Sequence, residues 1–316
     1  MARHVLWRLT QAVPLLLLVS LVSFGLLHLV PGDPAQLLAG PGANPDQVAQ
    51  IRRNMGLDQP LGIQLGMFYF NLAQGDFGRS FVLGQPVAQA ILQRAPVSIG
   101  IGLYSMVLTV LVGLLAGIAA AVRHNTWTDQ IVTVIALLGV SLPNFWLALV
   151  MIVVFSVHLG WFPTGGYVAF TNDMLGWLRT ATMPAVALAL LQIGLLARIT
   201  RATMLDVLGQ DYIRTARAKG LSELRVVCKH ALANTMIPVI TVIGLIFSVL
   251  FSGSIVIETV FALPGVGNLL GSAILSRDYP MIQGGLLFVA ATLLVLNVGV
   301  DILYAAFDPR VRVGEQ

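Results

Sequence analysis

The sequence predicts an all-α integral membrane protein: six transmembrane helices, a cytoplasmic helix–Gly–helix elbow, and a small helical region on the opposite face. Three observations predict it. Of 316 residues 57% are hydrophobic and only 10% charged, and the mean hydropathy of +0.86 lies far above that of soluble domains. Six long runs contain no Asp, Glu, Lys or Arg: Leu9–Gly32, Val97–Val122, Ile131–Gly160, Thr180–Ala197, His230–Ile257 and Tyr279–Val300. Burying a charge in hydrocarbon is costly, so such runs mark spans. The scarce charge is concentrated instead, with Asp211, Arg214, Arg217, Lys219, Glu223, Arg225 and Lys229 in one short insert.

Residues 1–32 form a cytoplasmic end and the first span. Their apolar run exceeds the roughly 7–15 residues of a signal-peptide core, so it reads as an uncleaved helix. Residues 33–96 form an extracytoplasmic helical region too small for an independent domain. In "NPDQVAQIRRNMG", Asn44 caps a helix, Pro45 occupies its first turn and Gly56 follows its end. Leu61, Leu65, Phe68 and Leu72 recur at helical spacing, and "QPVAQAILQRAP" gives a third short helix bounded by Pro86 and Pro96. Residues 97–316 form the core, with spans at about 97–122, 131–158, 180–203, 233–257 and 281–306. Pro143 and Pro184 are kinks or span-end features. The uncharged run 259–276 is interrupted by Pro264, Gly265, Gly267 and Gly271, so it reads as an extracytoplasmic loop with a short dipping helix.

Lys and Arg orient these spans. With the N-terminus inside, 12 of the 18 basic residues are cytoplasmic, and four of the outer six lie in the long 33–96 loop, where charge hardly influences topology. Both termini are therefore cytoplasmic. The net charge of +4 reflects this bias and implies no nucleic-acid partner. The lone cysteine, Cys228, excludes an internal disulfide.

The charged insert spans 211–232. Tyr212–Lys219 is one helix-length piece stopped by Gly220, the residue that most cheaply adopts a left-handed C-terminal conformation. Ser222 then fits as the cap of a second helix. There Leu224, Val227, Cys228, Ala231 and Leu232 form an apolar stripe that pins it. The first helix is displayed, a geometry suited to a docking handle rather than to a solvated loop.

On the fifth span Thr241, Gly244, Ser248, Ser252 and Thr259 share one face, either lining a polar path or letting helices approach closely. Gly113 and Gly117 form a G-x-x-x-G pair best read as helix packing. Glu258 and Asp301 lie near span ends, where interface or packing roles fit better than ion sites; Asn297 and Tyr304 share the face of Asp301. No phosphate-binding loop, HExxH, paired CxxC or G-x-S-x-G occurs, and the five histidines are scattered, so neither a catalytic constellation nor a metal site is expected. Three function classes remain: an ATP-driven importer permease, a stand-alone ion-coupled carrier or channel, and an intramembrane enzyme. Carriers favour mid-membrane charges or broken helices, and only span-end carboxylates are found. Enzymes need a nucleophile–base pair, and none can be named. Periodicity alone leaves carrier and permease close.

The elbow sequence Thr215-Ala216-Arg217-Ala218-Lys219-Gly220, with Pro238 downstream, resembles the cytoplasmic signature of permease subunits of binding-protein-dependent ABC importers. Where that family often begins with Glu-Ala-Ala, this chain has Thr215-Ala216-Arg217. "HLVPGDP", "GDFGRS" at 75–80, "ETVFALPGVGNLL" and "RDYP" are similar to the dipeptide, oligopeptide, glutathione and nickel branch. The resemblance covers nearly the whole chain and implies a type I importer permease fold in a bacterial cytoplasmic membrane. It implies that Tyr212, Arg214, Thr215, Ala216, Arg217, Ala218, Lys219, Gly220 and Leu221 form the coupling helix seated in an ATPase cleft. The implied partners are a second, related permease (a heterodimer), two ATPase subunits that hold the ATP and magnesium, and an extracytoplasmic substrate-binding protein, besides membrane lipid. This chain itself would carry no cofactor and catalyse nothing. Thr241, Gly244, Ser248 and Ser252 are candidates for the path, and Glu258, Pro264, Gly265, Gly267, Arg277, Asp278 and Tyr279 for an extracytoplasmic gate or docking surface. Peptides are the expected substrate, with glutathione or a nickel complex as alternatives.

Overall fold

Within hydrocarbon every backbone amide must be satisfied inside its own segment, so the charge-free runs fold as helices. The computed structural model describes residues 2–29, 33–40 and 42–307. Val30–Gly32 of "HLVPGDP", and Arg310 and Arg312, lie outside them. The helices are α1 (Ala2–Leu29), α2 (Pro34–Ala39), α3 (Pro45–Asn54), α4 (Leu61–Ala73), α5 (Val87–Val122), α6 (Trp127–Ser141), α7 (Asn144–Met151), α8 (Met174–Leu208), α9 (Asp211–Ala218), α10 (Glu223–Arg225), α11 (Leu232–Val260), α12 (Val266–Leu275) and α13 (Tyr279–Phe307). π-helical turns at Ile152–His158 and Val226–Ala231 extend α7 and join α10 to α11. Apart from one isolated bridge between Arg79 and Pro86, the described residues contain no β structure.

Four described helical stretches are long and apolar enough to cross a membrane: Val87–Val122, Met174–Leu208, Glu223–Val260 and Tyr279–Val300. α1 covers the first predicted span over 28 residues. The third predicted span is not one straight helix. α6 and α7 meet at 106° across Leu142 and Pro143, where Pro143 adopts an extended conformation and starts α7 without an amide to donate. Pro184, by contrast, sits inside the continuous α8. Pro96 also fails to end a helix: the predicted helix before it and the second span are one 36-residue α5. Burial of Val87, Ala90, Ile91 and Ala95 offsets the hydrogen bond lost at the proline.

The chain forms two compact units: Val97–Pro264 with the chain from Val295 onward, and Ala2–Pro96 with Gly265–Leu294. In the first, α8 packs against α6, α7 and α11. Small residues set the distances. A Cβ on Gly194 would stand 2.6 Å from the Ala136 carbonyl oxygen, and one on Gly117 2.6 Å from that of Ala197. The G-x-x-x-G pair on α5 is thus a packing seam against α8. One α5 face, Leu103, Val107, Leu111 and Leu115, is exposed, as lipid contact requires. The opposite face, Ile101, Ser105, Thr109, Gly113 and Gly117, is buried. The buried Ser105 and Thr109 hydroxyls each donate to the carbonyl four residues back, at 2.8 Å.

In the second unit, α3 starts as predicted, with Asn44 and Gln47 forming a reciprocal capping box. Asp33 caps α2 and pairs with Arg52. Val87, Ile91, Leu269, Leu270 and Met281 form this unit's core, and Gly284 and Gly285 admit Val87 and Leu270 within 2.4 and 2.2 Å of where a Cβ would stand.

Candidate functional site: the helix–glycine–helix elbow

α9 buries Ile213 and Ala216, three residues apart, and displays Tyr212, Arg214, Thr215, Arg217, Ala218, Lys219 and Gly220. The buried pair joins Ala121 of α5, Met204 of α8 and Val226, Val227 and Ala231, with Leu221 half-buried beside them. The helix then stops as the sequence predicts. Gly220 has φ +79°; its amide donates to the Arg217 carbonyl at 2.9 Å, and the Leu221 amide donates to that of Ala216 at 3.4 Å. This paired closure is a Schellman motif, and Leu221 provides its apolar contact. The reversal is therefore specified by one residue that tolerates positive φ and one apolar residue after it.

The second helix departs from the predicted stripe. Leu224 is 74% exposed and Cys228 is exposed. The π-helical turn is the cause. Its i→i+5 bonding stacks Val226 over Ala231, so Val226, Val227 and Ala231 face inward. Ser222 takes the extended conformation of a cap, yet its side chain makes no capping bond.

Two polar contacts brace the elbow and a third braces α8 beside it, and helical periodicity reveals none of them. The Arg217 guanidinium clasps Glu223 across Gly220, with Nε to Oε1 at 2.8 Å and Nη2 to Oε2 at 3.3 Å. Both side chains are well exposed, so the clasp contributes about 0–1 kcal/mol and acts mainly on geometry. Asn234 of α11 donates to the Tyr212 hydroxyl at 2.8 Å. Less than one turn before Met204, Arg201 of α8 pairs with buried Asp129, which also accepts from the Asn125 amide at 3.0 Å and lies 3.2 Å from His124 Nδ1. The available signal was one-dimensional: Asp129 and Arg201 flank charge-free runs on the same predicted side.

The path candidates divide. Gly244 is buried where a Cβ would meet Val300 of α13 at 2.4 Å, and the Ser248 hydroxyl contacts Asn297 Oδ1 at 3.2 Å. Both thus lie in the α11–α13 packing, while Thr241 and Ser252 are exposed. The side chains of Asp301 and Tyr304 lie outside the described residues.

The gate and docking candidates differ in burial. Glu258 is 1% exposed and accepts from the Ser98 hydroxyl at 2.6 Å, both in the first unit with the exposed Pro264. In the second unit Gly265, Gly267, Asp278 and Tyr279 are buried, and Arg277 alone is exposed, at φ +55°. Asp278 accepts from the Ser80 hydroxyl and from the Phe81 and Val82 amides at 3.2 and 3.3 Å. The "RDYP" motif therefore anchors the "GDFGRS" turn, and its carboxylate has no surface left to offer. Among the described residues no group of three His, Cys, Asp or Glu side chains is placed to hold a metal.

Residues 113–313 match the family described as "Binding-protein-dependent transport system inner membrane component", and residues 1–102 match its N-terminal companion. A putative peptide transport system permease protein of Brucella abortus (strain 2308) is 53% identical over 312 residues, covering 99% of both chains. The glutathione transport system permease protein GsiC of Salmonella choleraesuis (strain SC-B67) is 43% identical over the same length and coverage. A structure of the MetNI methionine ABC transporter in inward-facing conformations aligns at TM-score 0.49 and 15% identity, covering 70% of this chain and 94% of that one.

Proposed function

Since the chain belongs to the inner-membrane components of binding-protein-dependent transport systems, in the dipeptide and glutathione branch of ABC importer permeases, we propose that α9 is the helix through which a separate ATPase subunit drives import. The observation that carries this is the elbow itself. A basic, exposed α9 is fixed by a positive-φ glycine and seated on the ends of α5 and α8. A push on α9 passes through the π-helical turn at Val226–Ala231, which packs on both, to α8, the helix against which α6, α7 and α11 pack. Tyr212, Arg214, Thr215, Ala218, Lys219 and Gly220 form the exposed contact. Ile213, Ala216 and Leu221 hold it down, and Arg217 with Glu223 sets its angle.

In this reading both termini and the elbow face the cytoplasm. Two ATPase subunits hold the ATP and magnesium, a second related permease completes a heterodimer, and an extracytoplasmic binding protein delivers the cargo. ATP-driven closure of the ATPases draws the elbows together and switches the path between its two sides. Small peptides are the proposed cargo, following the named function of the 53% identical relative. The 43% identical glutathione permease makes glutathione the second reading. The decisive experiment expresses the chain with and without its neighbouring subunits. Alone it should neither bind nor hydrolyse ATP, and with them it should copurify as a complex that hydrolyses ATP and takes up labelled dipeptide. Nucleotide binding by the isolated chain would overturn the reading.

For the path, Thr241 and Ser252 are the proposed lining groups, and Gly244 and Ser248 space α11 from α13. Ser252→Leu should lower uptake severalfold while the complex still assembles. Unchanged uptake would remove Ser252 from the path, whereas loss of the complex would make it a packing residue.

A further inference from the structure

In the second unit two cavities lie end to end along α1 and α13. The first, about 570 Å³, is bounded by Phe24 of α1 and by Pro280 and Gln283 of α13. The second, about 420 Å³, takes over one turn further along both helices, at Ser20 of α1 and at Phe288 and Ala291 of α13. Leu72, Phe77, Gly284 and Leu287 line both. From Pro280 to Ala291 the trough runs about 16 Å along the helix axis.

Its two ends differ in chemistry. The groove at Ser20 and Ala291 is lined by Leu, Ile, Val, Phe and Ala with scarcely any polar surface, and it opens beside the exposed Leu17 and Leu92 of spanning helices. The cleft at Phe24 and Pro280 brings together Arg53, Asp58 and Asp76, all exposed, with Gln64 and Asn71. One cation beside two anions, at the end of an apolar groove along membrane helices, is the complement of a zwitterionic amphiphile. A phosphate would meet Arg53, an ammonium would meet Asp58 and Asp76, and an acyl chain would fill the groove.

The geometry points to a resident phospholipid with a phosphoethanolamine headgroup, bound in this trough in the leaflet next to residues 33–96. The site depends on the membrane embedding of α1 and α13 and is independent of the elbow's role. Its position decides what the lipid does. Tyr69 of α4 bonds to Ser20 at 3.0 Å, and Gln283 of α13 bonds to the Ser23 carbonyl at 3.4 Å. A chain in the groove packs beside these ties between α1, α4 and α13.

Native mass spectrometry of the full-length protein, purified with its partner subunits from bilayers of equal phosphatidylethanolamine and phosphatidylglycerol, tests the assignment. One retained phospholipid per chain is expected, with ethanolamine preferred by about three- to fivefold, the scale of exposed ion pairs. Ala291→Trp, which fills the groove, should abolish retention. The double variant Asp58→Asn, Asp76→Asn removes both charges while an asparagine oxygen at 76 can still accept from the Gly78 amide, as Asp76 does at 2.8 Å, so it should retain lipid without headgroup preference. Retention undiminished in Ala291→Trp, or a preference unchanged in the double variant, would overturn the proposal. So would an absence of retained lipid together with loss of the second permease in Ala291→Trp, because the groove would then hold a protein helix.

Discussion

Gly220→Val is expected to give a membrane-inserted, folded permease that no longer moves substrate in step with ATP hydrolysis. No atom lies within 4 Å of the position a Cβ would take, so the penalty is conformational alone. At φ +79° it amounts to about 1–2 kcal/mol, more for a β-branched side chain. That is small against the packing of the whole bundle but comparable to a coupling free energy of about 1–3 kcal/mol between two sites. Uptake should therefore fall by at least about fivefold, the lower end of the effect that such coupling supports. ATPase copurification should fall with it, or hydrolysis should continue without transport. Gly220→Asn is the matched control, because asparagine tolerates the left-handed region and can close the same motif. Its uptake should stay near that of the natural chain. Full uptake by Gly220→Val would mean that the reversal at residue 220 is dispensable.

Gly117→Leu should instead strongly destabilise the folded protein. Its Cβ would lie 2.6 Å from both the Ala197 carbonyl oxygen and Thr200 Cβ, and neither α8 position can yield without moving the helix. Overpacking of this kind costs about 1–3 kcal/mol or more. Because α8 is the helix on which α6, α7 and α11 rest, the strain is not confined locally. Monodisperse protein in detergent should be largely lost and the thermal midpoint of any remainder lowered. Gly271→Leu, on a face of α12 where nothing lies within 4 Å, should leave both unchanged. A normal yield of Gly117→Leu would show that α5 and α8 do not meet through this seam.

What the sequence disclosed follows from what is one-dimensional. Charge-free runs gave the spans, because the cost of a charge in hydrocarbon is independent of tertiary structure. Gly220 gave the reversal, because glycine most cheaply takes the left-handed conformation that ends a helix. Asn44 and Pro45 gave the α3 start, because a cap side chain and a first-turn proline are likewise local signals. Hidden were features set by competition between local preference and packing. Pro96 should end a helix, yet α5 runs through it to keep Val87 and Ile91 buried. Pro143 does break its helix, by 106°. Nothing local separates the two prolines. The π-helical turn moved the apolar face of the second elbow helix from Leu224 and Cys228 to Val226, because the periodicity assumed was that of an α-helix. Asp278, read as a docking group, is enclosed by a turn 196–198 residues away, a partnership no local pattern encodes.

The central claim is that α9 meets an ATPase on the cytoplasmic face, and accessibility of residue 214 tests it most directly. In a Cys228→Ser background, Arg214→Cys places a thiol on the exposed face of α9. A membrane-impermeant maleimide should label it in inverted vesicles stripped of the ATPase subunits, should fail to label it once those subunits are restored, and should never reach it in intact spheroplasts. Labelling of residue 214 from outside intact spheroplasts, or labelling undiminished by the bound ATPase, would contradict the account.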